Sequence, residues 1–535
     1  MGKELQTLDY VVFLIYFLIV AGYGYWIYQR KKNPNASAGD FFLAEGALTW
    51  WAIGASLIAS NISAEQFVGM SGSGFAMGLA IASYEWMAAL TLIVVAVFFM
   101  PGYIKNKIYT MPQFLEKRYS PLVATMMAVF WLLVYVFVNL TSILYLGAIA
   151  VSTISGFSFT ACAWFLAIFA IIITLGGMKV IGYTDVIQVI ILVLGGLATT
   201  YLALNLVADQ NGMSGVMAGL GLLREQAPDH FHMIFDKSNE HYKDLPGLTV
   251  LFGAMWIANL NYWGCNQYIT QRALGAKLET ARSGLLFAAF LKLLMPIIVV
   301  LPGIAAYVLY QKGMFQEEML QDGVLKSDKA YPVLLNLLGP GLKGLSFAAL
   351  TAAIVASLAG KANSIATIFT LDIYKKYFNK EASEAKQVGI GRYVIVISMI
   401  IAILVAPQLK KLDQGFQFIQ EFTGLISPGV VAIFLLGFFW KRATANAALA
   451  AALSCIPLGF LFKKFLGDIP FLDQMGYVFL ILVVMMVIIS LADPKSKNNP
   501  KAMEVDVEGF KTSQGFAIGA LAVIGVLAAL YIVFW

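Results

Sequence analysis

The chain has 535 residues, 60% of them hydrophobic and 12% charged, with a mean hydropathy of +0.78 and a formal net charge of +6. That composition excludes a soluble globular domain and points to an all-α, polytopic membrane protein. The surplus of cations needs no nucleic acid, because cytoplasmic loops of membrane proteins carry it.

A window of about twenty residues finds about fourteen spans. The first, 10–28, is followed by Arg30-Lys31-Lys32 and not preceded by them, so it reads as a retained helix and not as a cleavable signal peptide. Residues 1–47 then form an extra helix and a cytoplasmic linker. Five spans follow within 48–207, at 48–76, 79–103, 121–150, 159–177 and 184–207. The loop 208–247 is hydrophilic and holds all three histidines, His230, His232 and His241, for which a solvated setting is expected. Five more spans fill 248–440, at 248–269, 284–310, 344–371, 390–406 and 414–440. The last unit, 441–535, holds spans at 445–462, 475–492 and 515–535, with a cytoplasmic linker from Asp493 to Ser513. The three cysteines, Cys162, Cys265 and Cys455, fall in or beside apolar spans and suggest neither a disulfide frame nor a metal centre.

The first span of each five-helix unit is interrupted. Ser60-Asn61-Ile62-Ser63-Ala64-Glu65-Gln66 breaks one, and Asn259, Asn261, Gly264, Asn266 and Gln267 break the other. Bare backbone polar groups survive at membrane depth only where protein or a wet cavity satisfies them. Two such breaks about two hundred residues apart, in spans of opposite direction, are the mark of inverted repeats with a solute site at their meeting point. With the N-terminus outside, 22 Lys and Arg fall in cytoplasmic connections and 12 outside, and both termini face out.

Four charged residues are counted within the spans: Glu85, Asp185, Lys292 and Lys361. Each costs about 3 kcal/mol at the bilayer centre on insertion scales, so a functional role is the default. Glu85 and Lys292 offer an acceptor and a donor for solute hydroxyls, or else an ion pair that only fixes packing. Asn61, Gln66, Asn259 and Gln420 add amides at or near the breaks. Tyr84, Trp86, Tyr262, Trp263 and Phe416 flank them with flat apolar faces. The set suits an uncharged polyol better than a carboxylate.

The runs from Asn61 to Gly69, Gly176 to Gln188, Asn259 to Gln271 and Phe416 to Pro428 resemble the sodium/solute symporter family, nearest its sodium/glucose branch and the bacterial sodium/galactose members. The resemblance implies sodium-coupled symport of a neutral hexose, galactose or glucose, by alternating access. Sugar contacts would be Asn61, Gln66, Glu85, Asn259, Lys292 and Gln420. Tyr262, with Trp263, would form the inner gate, and Met70, Tyr84 and Phe416 the outer one. Sodium would meet the carbonyls of Ala59, Ile62 and Ala353 and the hydroxyl of Ser357, with Asp185 on its exit route. No organic cofactor is implied, and the partners would be the sugar and the lipid bilayer, with the chain a monomer or loose homodimer in the cell inner (plasma) membrane.

Two departures from that branch stand out. Paired serines become Ala356-Ser357, removing one hydroxyl ligand, and Ala88 replaces a serine one turn after Glu85. Lys361, one turn below Ser357, would either snorkel toward the cytoplasm or disfavour sodium or stand in for it. Proton-coupled or sodium-independent transport of a polyol such as inositol is the alternative. A membrane-embedded enzyme and a channel fit less well: there is no paired carboxylate, Ser/His set or phosphate loop, and the chain carries its own duplication.

Overall fold

The computed structural model describes residues 5–30, 49–108, 110–175, 178–274, 276–411, 415–504 and 507–535. Asp185 falls on a stretch whose side chains lie outside the described residues. Helix α1 spans Thr7–Arg30, α2 Trp50–Asn61, α3 Ser71–Met77, α4 Ser83–Val94, α5 Pro121–Val134, α6 Thr141–Ser155, α7 Phe159–Thr174 and α8 Met178–Asp209. The second half runs α9 (Met255–Gly264), α10 (Gln267–Leu274), α11 (Leu278–Gln311), α12 (Leu342–Thr367), α13 (Glu384–Val405), α14 (Gly415–Gly424) and α15 (Ser427–Phe439). Three more helices follow: α16 (Ala445–Phe465), α17 (Phe471–Ala492) and α18 (Gln514–Val533).

Each expected span is met by a helix or a bent pair. Among the described residues nine helices are long and apolar enough to cross a bilayer, or ten if α14 and α15, bent by 49°, make one span. The helical run Glu65–Lys105 covers 41 residues, about 60 Å and twice the bilayer core, so it cannot be a single crossing. It folds back at Gly78, whose φ of +75° suits glycine and where a Cβ would meet the His230 carbonyl oxygen at 2.3 Å.

The two halves interlock crosswise. The broken helix α2 packs along α11, the second span of the other half, and α9 packs along α4, the second span of its own counterpart. Small residues permit the first contact, since a Cβ on Gly54 would lie 2.8 Å from the Gly284 carbonyl. Chain termini and long loops gather on one face. Asp9 accepts hydrogen bonds from the Gly341 and Gly344 amides at 2.7 and 2.9 Å, and the Met233 amide donates to the Phe534 carbonyl at 2.8 Å.

Of the three loop histidines His232 is exposed as expected, while His230 and His241 are half-buried and engaged. His230 stacks on Tyr307 at 4.0 Å, with Nε2 3.0 Å from the Phe75 carbonyl, and burial pushes its imidazole below the ordinary value. His241 hydrogen-bonds Asp244, which raises it. The loop therefore rests on the α3 turn as a lid of packed side chains. The Asp493–Ser513 linker is also engaged, since Arg282 donates to the carbonyls of Gly509 and Lys511.

On the opposite face Arg118, fully buried, donates to the carbonyls of Gly437 (2.8 Å), Trp440 (3.0 Å) and Ala443 (3.0 Å), closing the C-terminal end of α15. Arg118→Ala strands those acceptors and should cost at least about 2 kcal/mol, with Lys no substitute for the planar fork. Thermal unfolding in detergent checks this, and an unchanged midpoint for Arg118→Lys would count against it.

Candidate solute and cation site

Both breaks are built by side chains that replace missing backbone partners. Helix α2 stops when Ile62 turns extended (ψ 101°), and Gln66 Oε1 accepts from both the amide and the hydroxyl of Ser63 at 3.3 Å. The Ser63 hydroxyl in turn receives the Glu65 amide at 3.1 Å, and the chain resumes as a π-turn, Glu65–Met70. At the second break Asn266 Oδ1 accepts the Tyr268 amide at 3.1 Å and the Tyr135 hydroxyl at 2.5 Å. Tyr103 takes the Gly264 carbonyl at 2.6 Å. The bonds to the Ser63, Glu65 and Tyr268 amides and to the Gly264 carbonyl answer the demand that backbone in a membrane be satisfied internally, and the Ser63 hydroxyl and Tyr135 bonds hold the supporting side chains in place.

Between the breaks a polar chain crosses four helices. Lys292 on α11 donates to Glu85 on α4 and to Asn61 at the end of α2, and the Asn61 amide donates to the Tyr262 hydroxyl on α9 at 3.2 Å. Lys292 and Glu85 side chains are 1% and 4% exposed, and the ammonium also lies 5.0 Å from the Trp263 ring centroid. The groups expected to bind solute thus satisfy one another here, which is what buried charge requires.

A cavity of about 70 Å³ sits against this chain and is lined by all six expected solute residues: Asn61, Gln66, Glu85, Asn259, Lys292 and Gln420. That is room for about five waters, so a hexose enters only as the side chains part. Tyr84, Tyr262, Trp263 and Phe416 also line it. Phe416 meets Tyr84 edge-on at 5.2 Å and leans on Gly69, where a Cβ would approach to 3.1 Å, closing one end. Met70 is fully buried in the π-turn and is not part of the lining. Trp86 is a correction: it turns away into an apolar groove, its indole donating toward the Leu293 carbonyl at 3.5 Å.

The expected cation ligands lie beside the cavity and outside its lining. Ala59 lies in the last turn of α2 and Ile62 caps it, at the negative end of the helix dipole; of the carbonyls there, that of Ile58 accepts the Ile62 amide and that of Ser60 the Tyr268 hydroxyl. Ala353 and Ser357 share a face of α12, which packs on α2. The Ser357 hydroxyl is buried with no hydrogen-bond partner. A buried orphan oxygen on a helix packed against the end of α2 fits a hard cation that prefers oxygen ligands.

The cavity holds residues the sequence reading passed over. Glu65 lines it as a fifth charge, Asn261 lends an unpartnered Oδ1 while its amide binds Ser427 at 2.9 Å, and Tyr135 and Asn266 complete the floor. Glu65 stands inside the first break, so counting it among intramembrane charges would have found it. Lys361 does not snorkel: it is 3% exposed and lines the same cavity.

Two broken spans enclosing a closed polar cavity inside one duplicated helical body define a secondary transporter. Residues 41–454 match the family model of the sodium:solute symporter family. The chain is 48% identical to a sodium/glucose cotransporter of Vibrio parahaemolyticus over 99% of both chains, and 34% identical to the human sodium/myo-inositol cotransporter 2 over 85% of this chain and 70% of that one. Among solved structures, a Na+-coupled sialic acid symporter in a substrate-bound outward-open state shares the fold at a TM-score of 0.77 and 22% identity, covering 91% of this chain and 98% of that one. The chain belongs to the sodium:solute symporter family. It is a multi-pass membrane transporter with Na+ as its coupling ion, and not an enzyme.

Glu85→Gln or Lys292→Met alone leaves one buried charge without its partner and should cost about 3–5 kcal/mol. The double variant should recover most of that stability and lose solute-induced stabilisation. Unfolding midpoints with and without solute decide it, and a double variant as fragile as the singles would contradict the pairing.

Proposed function

We propose that the protein carries a neutral hexose, galactose or glucose, into the cell with sodium across the inner (plasma) membrane, with both termini outside. The chain of donors and acceptors from Glu85 through Lys292 and Asn61 to Tyr262 carries the reading. It offers hydroxyl-binding groups of both kinds, and Glu85 repels a carboxylated solute. The 48% identity to a protein named for glucose supports it. A second reading, transport of a cyclitol such as inositol, is favoured by the inositol cotransporter relatives and by Ala88, which lines the cavity without offering a hydroxyl.

Sodium, a cargo here, binds Ala59, Ile62, Ala353 and Ser357 and ties α2 to α12, ordering the Asn61 end of the solute site. Its preference for the outward state is essential, because an ion that bound both states equally would shift nothing. A 100 mV inside-negative potential adds about 2.3 kcal/mol per charge. The repeats 48–207 and 248–440 then rock, Tyr262 leaves Asn61, and sugar and ion depart past Asp185.

The test is uptake into proteoliposomes of a panel of hexoses and inositol under sodium, lithium, potassium and pH gradients. Concentrative hexose uptake driven by sodium alone is expected, with Ala356→Ser lowering the half-saturating sodium concentration severalfold. Uptake driven by protons without sodium would overturn the coupling, and an unmoved sodium curve in Ala356→Ser would overturn the ligand placement.

A further inference from the structure

The cavity is also lined by two further opposite charges, Glu65 and Lys361, for which the solute site has no use. Lys361 on α12 sits with its ammonium 4.3 Å from the Tyr268 ring centroid and 4.8 Å from that of Tyr135. A Cβ at Gly360 would meet Tyr268 at 2.8 Å, so the helix is bare where that ring lies against it. Tyr268 hands its own hydroxyl to the Ser60 carbonyl at 3.1 Å, in the last turn of α2, and Tyr135 binds Asn266 of the second break. The rings that hold the ammonium are therefore fastened to both breaks. Glu65, across the floor, acts on Lys361 through its charge, and one of its oxygens is buried without a hydrogen-bond partner.

Lys361 and Ser357 are four residues apart on one helix and share a face, and helical side chains lean toward the N-terminal turn. The sweep of the Lys361 chain thus covers the position of Ser357, whose hydroxyl is the orphan oxygen of the cation site. Ala356 beside it offers no hydroxyl. A positive charge on a four-carbon tether lies within one helical turn of a place built for a positive ion.

We propose that Lys361 is a resident competitor of the coupling ion: its ammonium exchanges between the Tyr135–Tyr268 cage near Glu65 and the Ser357 ligand set, and so determines how tightly sodium is held. In this proposal sodium at the Ser357 set leaves the ammonium in the aromatic cage, and loss of sodium lets the ammonium cover the Ser357 oxygen and keep the site charge-balanced. Glu65 holds the ammonium in the cage and thereby favours sodium. This rests on the sodium assignment made above and adds a residue that sets its affinity.

Equilibrium binding of labelled sodium to purified protein without any solute is the test, with folding of each variant checked by its melting profile in choline. Lys361→Met should bind sodium on the order of a hundredfold more tightly, the scale of a Coulomb term between unit charges about 6 Å apart at an effective dielectric of about 20. Lys361→Arg, which keeps the charge, should stay near the wild-type value. Glu65→Gln should weaken binding severalfold, because it frees the ammonium to compete. A wild type that binds no sodium beside a Lys361→Met variant that does would also support the competitor, while sinking the sodium coupling of the wild-type symporter. Unchanged or weaker binding in a folded Lys361→Met variant overturns the proposal, whatever the uptake measurements show.

Discussion

Everything distinctive in this molecule follows from the need to satisfy backbone hydrogen bonds where no bulk water reaches them. An unbroken helix meets that need for itself and exposes nothing to a solute. At Ile62 and Cys265 the helices stop, and the side chains of Gln66, Ser63, Asn266 and Tyr103 supply lost partners, with Tyr135 steadying Asn266. In the function proposed above, carbonyls at the end of α2 serve the cation and the neighbouring amides serve the solute. Binding groups and structural supports are the same atoms.

The same constraint explains why the solute groups bind each other. Lys292 and Glu85 are nearly excluded from solvent, and each unpaired would carry a desolvation penalty of several kcal/mol. Their mutual bond, extended through Asn61 to Tyr262, stores the site in a closed form. A sugar enters by exchanging these bonds for its own hydroxyls, so a net gain depends on how well the new set matches the old. In the proposed cycle, breaking the Asn61–Tyr262 contact couples that exchange to the inner gate.

Much of this was legible in the chain itself. Hydropathy placed the spans, because a twenty-residue apolar run has few alternatives, and the clustered amides and glycines marked both breaks. All six solute residues lie on one cavity. What the sequence did not disclose is direction. Trp86 sits next to Glu85 yet faces the opposite side of α4, since neighbours on a helix are about 100° apart. Gln66 lines the cavity as expected, but its carbonyl oxygen also holds Ser63, a second task that its place in the sequence did not disclose. Glu65 was hidden by being read as part of a motif and not as a charge. Lys361 was placed one turn below Ser357, but only the tertiary structure reveals the two rings that let an ammonium stay inside.

The packing of the histidine loop onto α3 belongs to the same lesson. Its composition is that of a solvated connection, while His230 fills the space left by Gly78 and stacks on Tyr307. Loops that cap a transporter are shaped by what they cover, which no local signal records.

The most direct test of the central claim is an electron cryo-microscopy map of the protein with a hexose and sodium bound. It should show both helices still broken, the pyranose between them with hydroxyls on Lys292, Glu85 and Asn61, and a cation at the Ser357 oxygen. Continuous helices at Ile62 and Cys265, or a sugar bound away from the Glu85–Lys292 pair, would contradict it.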